Sequence, residues 1–502
     1  MQLAEVVLAS RDVAATTSRT AKIARIAELL RAAGPEGASV VVPWLSGELR
    51  QRRTGVGWAT LREAPTPAPE PSLTVVETDR LFEQVSVLAG AGSAGERRRL
   101  VHDLFARATA DEQGFLRGLI SGELRQGALE GVMVDAIARA SEVELPLVRR
   151  AAMLCGAMAP VAEAALRDGA AGLSTFALQV GRPILPMLAA TASSVEEAVG
   201  KLGEVRVDRK LDGIRVQVHR SGNDIAVFSR SLDDITARVP ELVRAAGALP
   251  VDTAVLDGEA IALRPDGRPR PFQETGARAA TRVGGEPVAL SLFAFDALHV
   301  DGDDLLDLPL RERQAVVGHL VPADLQVQWV ATSSPVEAQQ FFETSVAAGH
   351  EGVVVKSLDA AYDAGRRGSA WLKVKPVHTL DLVVLAAEWG HGRRRGWLSN
   401  LHLGARDPES GGFVMLGKTF KGLTDEMLRW QTDKLLSLAV SRNEWQVFVS
   451  PSLVVEIAFD GVQTSPRYPG GVALRFARVV RYREDKRPEE ADTLATVRSY
   501  LA

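Results

Sequence analysis

The run Lys210-Leu211-Asp212-Gly213-Ile214-Arg215 sets an amine, a carboxylate and a guanidinium close together in the chain. Its flanks, Val205 to Arg209 and Val216 to His219, alternate apolar and polar residues, which is the period of a strand. Asp212-Gly213 interrupts that period with a turn-forming pair. A lysine held between two strands is rigid and partly desolvated, and loss of water favours the neutral amine that can attack. Arg215 supplies a planar fork of donors matched to phosphate oxygens. The chemistry such a set would do is attack of the amine on phosphorus. A solvated surface hairpin fits the same six residues, so other segments must decide.

Five segments bear on the decision. Phe228-Ser-Arg-Ser-Leu-Asp-Asp-Ile-Thr236 puts Arg230 at the end of a strand, within reach of a phosphate. Val255-Leu-Asp-Gly-Glu259 presents a carboxylate after a tight turn, and Glu351 stands just before the buried strand of Gly352-Val-Val-Val-Lys356. Leu292-Phe-Ala-Phe-Asp-Ala-Leu298 is an apolar strand whose Phe295 is placed to stack on a purine. In Gly368-Ser-Ala-Trp-Leu-Lys-Val-Lys375 the alternation puts Lys373 and Lys375 on one face, opposite Leu372 and Val374. Singly, each has a plain alternative: Phe295 as core, the acids as surface, the lysines on a wet edge. Together they supply a nucleophile, two carboxylates for a divalent cation, an aromatic shelf and cations for a triphosphate. Those are the parts that nucleotidyl transfer needs to neutralise charge on the transferring and departing groups.

The elements that must position these residues change in kind along the chain. The first third reads as helices, with apolar residues at three- and four-residue spacing in Ala21–Ala32 and Phe115–Ala140. Ala64-Pro-Thr-Pro-Ala-Pro-Glu-Pro-Ser72 is a loop or extended connector. Gly90-x-Gly92-x-x-Gly95 matches a dinucleotide fingerprint formally, but it lies between helical patterns and reads as a helix-helix turn. Pro183 and Pro186 mark a crossing into short β-branched strands with intervening helices, up to about Pro376. From Asp381 to Val480 the pattern is almost all strand and turn, as in a small antiparallel barrel, and a short helix near Glu489–Leu501 closes the chain.

Composition sets outer bounds. A chain of 502 residues suggests about three domains. Hydrophobic content of 46% and charged content of 24% are those of a water-exposed globular protein. No leader pattern and no apolar stretch long enough for a bilayer is visible, so a cytoplasmic protein without membrane association is expected. Cys155 alone gives no disulfide framework and no multi-cysteine zinc module, and the eight histidines are scattered. Net charge is −4, and residues 1–180 carry 20 Lys plus Arg against 21 Asp plus Glu. Any phosphate-binding surface must therefore be local, as at Arg97-Arg98-Arg99 or Arg393-Arg394-Arg395, although such runs also serve as solvated faces.

In the order and spacing of these segments the chain resembles ATP-dependent DNA ligases of the three-domain type shared by archaea and eukaryotes, also found as accessory ligases in some bacteria. The resemblance runs over essentially the full length. Gly122-Glu-Leu-Arg-Gln-Gly-Ala128 resembles their helical DNA-binding domain, Pro183 to Ala189 the lead into their adenylation domain, and Leu474-Arg-Phe-Ala-Arg-Val-Val-Arg-Tyr-Arg-Glu-Asp-Lys486 their last motif. It implies an all-α DNA-binding domain over 1–178, an α+β nucleotidyltransferase (adenylation) domain over 179–377 and an all-β OB-fold domain over 378–502. Residue by residue, it gives Lys210 the AMP-lysine role, Asp208 the adenine amino contact and Phe295 the ring stacked on the base. Glu259 would hold the ribose or a metal, and Glu351 a metal. Arg215, Arg230, Arg367 and Lys373, with Lys375 close by, would contact the nucleotide or nick phosphate, and Asp485 and Lys486 the pyrophosphate. ATP as substrate, Mg²⁺ or Mn²⁺, and nicked duplex DNA as the partner of a monomeric enzyme follow from the same resemblance. Two departures are visible: many relatives have Glu at the position of Asp208 and an aromatic at that of Leu211.

RNA ligases and mRNA-capping guanylyltransferases share the lysine motif, but a helical N-terminal part of this length argues against both. An NAD-dependent ligase lacks its zinc-binding cysteines here. A non-catalytic DNA-binding scaffold is opposed by the intact Lys210, Glu259, Glu351 and Lys373.

Overall fold

A computed structural model describes residues 1–51, 54–57, 60–61, 65–90, 92–124, 126, 130–280, 288–363 and 367–501, with the backbone alone for 367–369. It divides into two compact units, residues 1–338 with 354–373 and residues 339–353 with 374–502.

The first unit opens with helices. Arg19–Leu45 covers the expected Ala21–Ala32 and kinks where Gly34 (φ 66°) precedes Pro35, a residue that cannot donate to the helix ladder. The span Phe115–Ala140 belongs to two helices, Ala110–Ser121 and Glu130–Ser141, rather than one. A capping box of Thr109 and Glu112 starts the former, and Gly122 in the left-handed conformation ends it. Gly90 (φ 87°) and Gly92 (φ 85°) do turn the chain between two helices, Val75–Val87 and Ser93–Arg107. Trp44 anchors this core, with the rings of Phe82 and Phe115 at 6.3 and 6.4 Å. The helix Leu145–Cys155 then joins the strands that follow. Its Met153 and Leu154 share one apolar cluster with Ile184, Met187, Tyr362 and Trp371, and Arg150 makes two 2.7 Å bonds to Asp307.

Ten strands follow: β1 (Leu188–Thr191), β2 (Val205–Lys210), β3 (Ile214–Ser221), β4 (Asp224–Ser229), β5 (Thr253–Ala262), β6 (Leu290–Val300), β7 (Asp303–Asp304), β8 (Trp329–Thr332), β9 (Gly352–Ser357) and β10 (Arg367–Val374). They form two five-stranded sheets, ordered β1-β10-β9-β2-β8 and β4-β3-β5-β6-β7. The first is mixed, with β1 parallel to β10 and β2 antiparallel to β8; the ladders of the second are antiparallel throughout. One sequence expectation fails here. Glu259 does not follow a tight turn, because Asp257-Gly258 lies inside the ten-residue strand β5. A Cβ on Gly258 would stand 2.8 Å from the Phe293 carbonyl oxygen, so this glycine serves a close strand approach instead.

The second unit is β-rich, with β11 (His378–Trp389), β12 (Leu398–Asp407), β13 (Gly412–Thr419), β14 (Ala439–Arg442), β15 (Gln446–Val449), β16 (Val454–Phe459), β17 (Gly461–Thr464), β18 (Val472–Arg475) and β19 (Arg478–Tyr482). The long β11 pairs β12 and β15 along one stretch and β16 along another, which curls the antiparallel sheet around Leu382, Leu403, Val447 and Phe459. Strand and turn do not fill the region, however. A thirteen-residue helix, Asp425–Ser437, stands between β13 and β14, capped by Thr424 and carrying Asp425 and Glu426 in its first turn. The closing helix is shorter than expected, Leu494–Arg498 after a single 3₁₀ turn at Pro488–Glu490.

Candidate active site

Lys210 is the last residue of β2 and Ile214 the first of β3, so the amine stands where one strand turns into the next, partly buried. The turn is tight: a Cβ on Gly213 would lie 2.4 Å from the Ala260 carbonyl oxygen and 2.9 Å from Glu259 Cγ. Only glycine lets the turn lie this close to β5. Glu259 itself faces Arg215 in the β3–β5 register.

Strand alternation puts Arg206, Asp208 and Lys210 on one face of β2. Asp208 is buried there between two cations, with Arg206 Nε at 2.5 Å and Lys356 Nζ at 2.6 Å. Lys356 comes from β9, the strand next to β2. Its ammonium also lies 4.4 Å from the ring centre of Phe295 and 4.3 Å from that of Trp371. Burial drives the Lys356 pKa down from its ordinary value, against the opposing pull of Asp208. Trp371 and Lys373 alternate on β10 and so share a face, and the Phe295 ring meets Trp371 edge-on at 6.0 Å. Asp208, Lys356, Trp371 and Phe295 therefore form one aromatic and ionic pocket beside the strand end that carries Lys210. Sequence reasoning named Asp208 and Phe295 and passed over Lys356 and Trp371.

Arg215 was expected to meet phosphate. Here its guanidinium is committed to Asp257, with Nε at 3.0 Å from one carboxylate oxygen and Nη2 at 2.6 Å from the other, while Nη1 donates to the Met187 carbonyl at 2.5 Å. Burial is the largest single influence and would lower the guanidinium's pKa, but the charge and hydrogen bonds of Asp257, with Tyr362 and Glu259, together raise it, so Arg215 stays charged. The exposed Arg230 follows β4 and lines a recess with Arg215, Ser229 and Pro186. Farther along the same face of β3, Gln217 brackets Ile184 with bonds of 2.6 and 3.0 Å, and His219 Nδ1 accepts the Gly181 N–H at 3.0 Å. Three alternate residues of β3 thus grip the segment that leads in from the helices. The Arg367 side chain lies outside the described residues.

In the second unit, Glu351 pairs with Lys375, one residue past β10, and Lys375 Nζ also lies 3.3 Å from Asp460. Desolvation opposes the charge on Lys375, yet the bonds to Glu351 and Asp460 raise its pKa overall. A Cβ on Gly352 (φ 135°) would stand 2.2 Å from the Val374 carbonyl oxygen, which explains a glycine directly after Glu351. Lys486 Nζ lies 2.5 Å from Asp381 Oδ2, which Arg483 also bonds at 3.1 Å, and Arg483 in turn holds Asp485 at 2.6 Å. That last bond pulls the Asp485 carboxyl down to about 2. Among the described residues no group of three or more His, Cys, Asp or Glu side chains forms a ready-made metal site. None of their helices is long and apolar enough to cross a membrane.

Comparison with known proteins points one way. Three family models match in chain order: "DNA ligase N terminus" over residues 59–138, "ATP dependent DNA ligase domain" over 186–375 and "ATP dependent DNA ligase C terminal region" over 394–486. A probable DNA ligase of Mycolicibacterium gilvum (strain PYR-GCK) is 59% identical, covering 99% of both chains. A probable DNA ligase of Nocardioides sp. (strain ATCC BAA-499 / JS614) is 58% identical over the same shares. The solved structure named Pmar-Lig_Pre has the same fold at 19% identity, with a TM-score of 0.62 over 95% of this chain and 99% of that one.

Proposed function

This chain belongs to the ATP-dependent DNA ligase family, and from that premise we propose that it seals nicks in duplex DNA by way of an AMP adduct on Lys210. The carrying observation is the place of Lys210, at a strand end two residues beyond a buried carboxylate and beside an aromatic pocket.

Adenine stacks on Phe295, with Asp208 accepting from its amino group. Lys210 Nζ attacks the α-phosphorus of ATP, a P–N bond forms, and pyrophosphate leaves. AMP then passes to the 5′-phosphate of the nick, and the 3′-hydroxyl displaces AMP to close the phosphodiester. Lys373 and Lys375 face the α-phosphate, Arg230 the nick phosphate, and Asp485 and Lys486 the departing pyrophosphate. Arg215, given its commitment to Asp257, shapes the recess beside Arg230 more than it ligates through a free fork. The carboxylates of Glu259 and Glu351 are hard oxygen donors, which suit Mg²⁺ or Mn²⁺ held by one or two protein groups plus substrate phosphates. Such an ion would neutralise charge on the triphosphate. The helical part, 1–178, binds the duplex through phosphate contacts, 179–377 carries out adenylation, and 378–502 is the OB-fold part. The enzyme acts as a monomer in the cytoplasm.

The test is direct. Wild-type protein with ATP should join a nicked duplex, and Lys210→Ala should form no stable adduct with α-labelled ATP. Lys210→Arg should fail as well, because a guanidinium stays protonated. A stable protein-AMP adduct on either variant would overturn the assignment of the nucleophile.

A further inference from the structure

The sequence reading gave Tyr362 no role, yet its hydroxyl sits at a junction of the site. It donates to Asp257 Oδ2 at 2.7 Å and accepts the Met187 N–H at 3.1 Å, with Arg215 Nη2 at 3.3 Å. The side chain is 2% exposed, and its ring meets Trp371 edge-on at 6.0 Å. Three parts of the site meet at this one side chain: the carboxylate that holds Arg215 and the segment that leads in from the helices at its hydroxyl, and the aromatic wall of the base pocket at its ring. A hydroxyl that both donates and accepts fixes an angle between its partners that neither could fix alone. Asp257 could rotate about its carboxylate without it, and the Arg215 fork would turn with it.

We propose that Tyr362 is a positioning residue for nucleotidyl transfer, its hydroxyl locking Asp257 so that Arg215 keeps one orientation at the recess it shares with Arg230. The proposal rests on the ligase reading above and deepens it. Tyr362 touches no reacting atom; it acts through Asp257 and Arg215. Burial and the neighbouring Asp257 charge raise the Tyr362 pKa well above its ordinary value, so the hydroxyl keeps its proton and remains a donor across the working pH range.

Tyr362→Phe in the full chain removes this one oxygen and keeps the ring against Trp371. The expected result is a fall of about tenfold in kcat for nick sealing, the scale of one buried hydrogen bond left unmade. KM for ATP should stay within about twofold, because the contacts of Phe295 and Asp208 are untouched. Combined with Arg215→Lys, the losses should not multiply, since both changes break one network. A merely structural tyrosine would show a different pattern, with kcat, KM and Tm worsening together, and that outcome overturns the proposal. So does an unchanged kcat. If Tyr362→Phe melts too low to assay, Asp257→Asn loosens Arg215 from the other side, and a normal kcat in that variant is equally fatal. A wild-type chain that seals no nick would instead refute the ligase reading itself.

Discussion

Lys356 and Asp208 form a buried ion pair, 2.6 Å between Nζ and Oδ2, on adjacent strands and directly beside the rings of Phe295 and Trp371. Each side chain is only 3% exposed. The pair matters because Asp208, as the proposed reader of the adenine amino group, must remain a charged acceptor inside an apolar wall. Water cannot do that there; Lys356 and Arg206 do.

Removal of one partner should therefore cost both stability and ATP recognition. Lys356→Met leaves Asp208 buried with Arg206 alone, and breaking such a pair costs about 3–5 kcal/mol when nothing else compensates. With Arg206 still at 2.5 Å, a loss of about 2 kcal/mol is expected, read by denaturant unfolding. KM for ATP should rise. Adding Asp208→Asn should restore neither stability nor KM, because the buried Arg206 then loses its carboxylate and the base meets a neutral amide in place of a charged acceptor. Full recovery of both would show that Asp208 has no part in reading the base.

Close strand approaches give a second expectation. Gly213→Ala drives a methyl to 2.4 Å from a backbone oxygen of β5, which cannot move aside as a side-chain tip would. The cost should be about 2 kcal/mol or more, with adduct formation on Lys210 strongly reduced because the strand end shifts. Gly200→Ala is the control. Gly200 lies in the helix Val195–Leu202 with open space around it, so a gain of about 0.5–1 kcal/mol is expected from helix propensity. Equal effects at the two sites would remove the steric argument.

How much of this was legible in the sequence depends on the kind of signal. The strand-turn-strand around Lys210 was readable because a period of two and a turn pair are local. Glu351 before a buried strand was readable for the same reason. The function of Gly258 was not, since the same Asp-Gly pair signals a turn and also permits a close approach, and only the Phe293 backbone across the sheet distinguishes them. The helix Asp425–Ser437 carried a local signal, Thr424 followed by Asp425 and Glu426, that strand-rich flanks outweighed. Lys356, Trp371 and Tyr362 were hidden differently. Their respective partners Asp208, Phe295 and Asp257 lie 76 or more residues away in the chain, and no periodicity encodes such pairing.

His219 should make stability depend on pH. Its Nδ1 accepts the Gly181 N–H, so Nε2 carries the proton, 3.3 Å from Gln217 Oε1. Burial, with a smaller contribution from His299, pulls its pKa down to about 4 from an ordinary 6.5. The folded state therefore resists a proton that the unfolded chain takes up. Stability is full above pH 6.5 and declines as the pH falls towards about 4, by on the order of 3 kcal/mol. His402, also shifted down by burial, adds a decline of the same sign, so the comparison must be between wild type and His219→Gln. The difference in Tm between them should narrow or reverse as the pH drops from 7 to 4. A constant difference across that range would mean that His219 does not titrate as argued.

Lys486 offers the sharpest separation of chemistry from structure. In the second unit its ammonium is bound to Asp381, which also holds Arg483. If Lys486 meets the departing pyrophosphate, it must leave Asp381 to do so, and Asp381 is only its resting partner. Lys486→Ala should then slow formation of the Lys210 adduct strongly. On a nick that already carries a 5′-adenylate, where no pyrophosphate leaves, the same variant should seal at close to the normal rate. Asp381→Asn supplies the control, because it weakens the same ion pair from the other end while keeping the ammonium. A structural role predicts that both variants lose Tm together and both steps suffer alike. A role in pyrophosphate departure predicts that Asp381→Asn forms the adduct at least as fast as wild type, since it releases Lys486 from a competing charge. Its Tm would still fall, because Arg483 loses charge compensation as well. The two variants must therefore diverge in adduct formation even where they agree in stability, and parallel losses in both would leave Lys486 as a strut of the barrel.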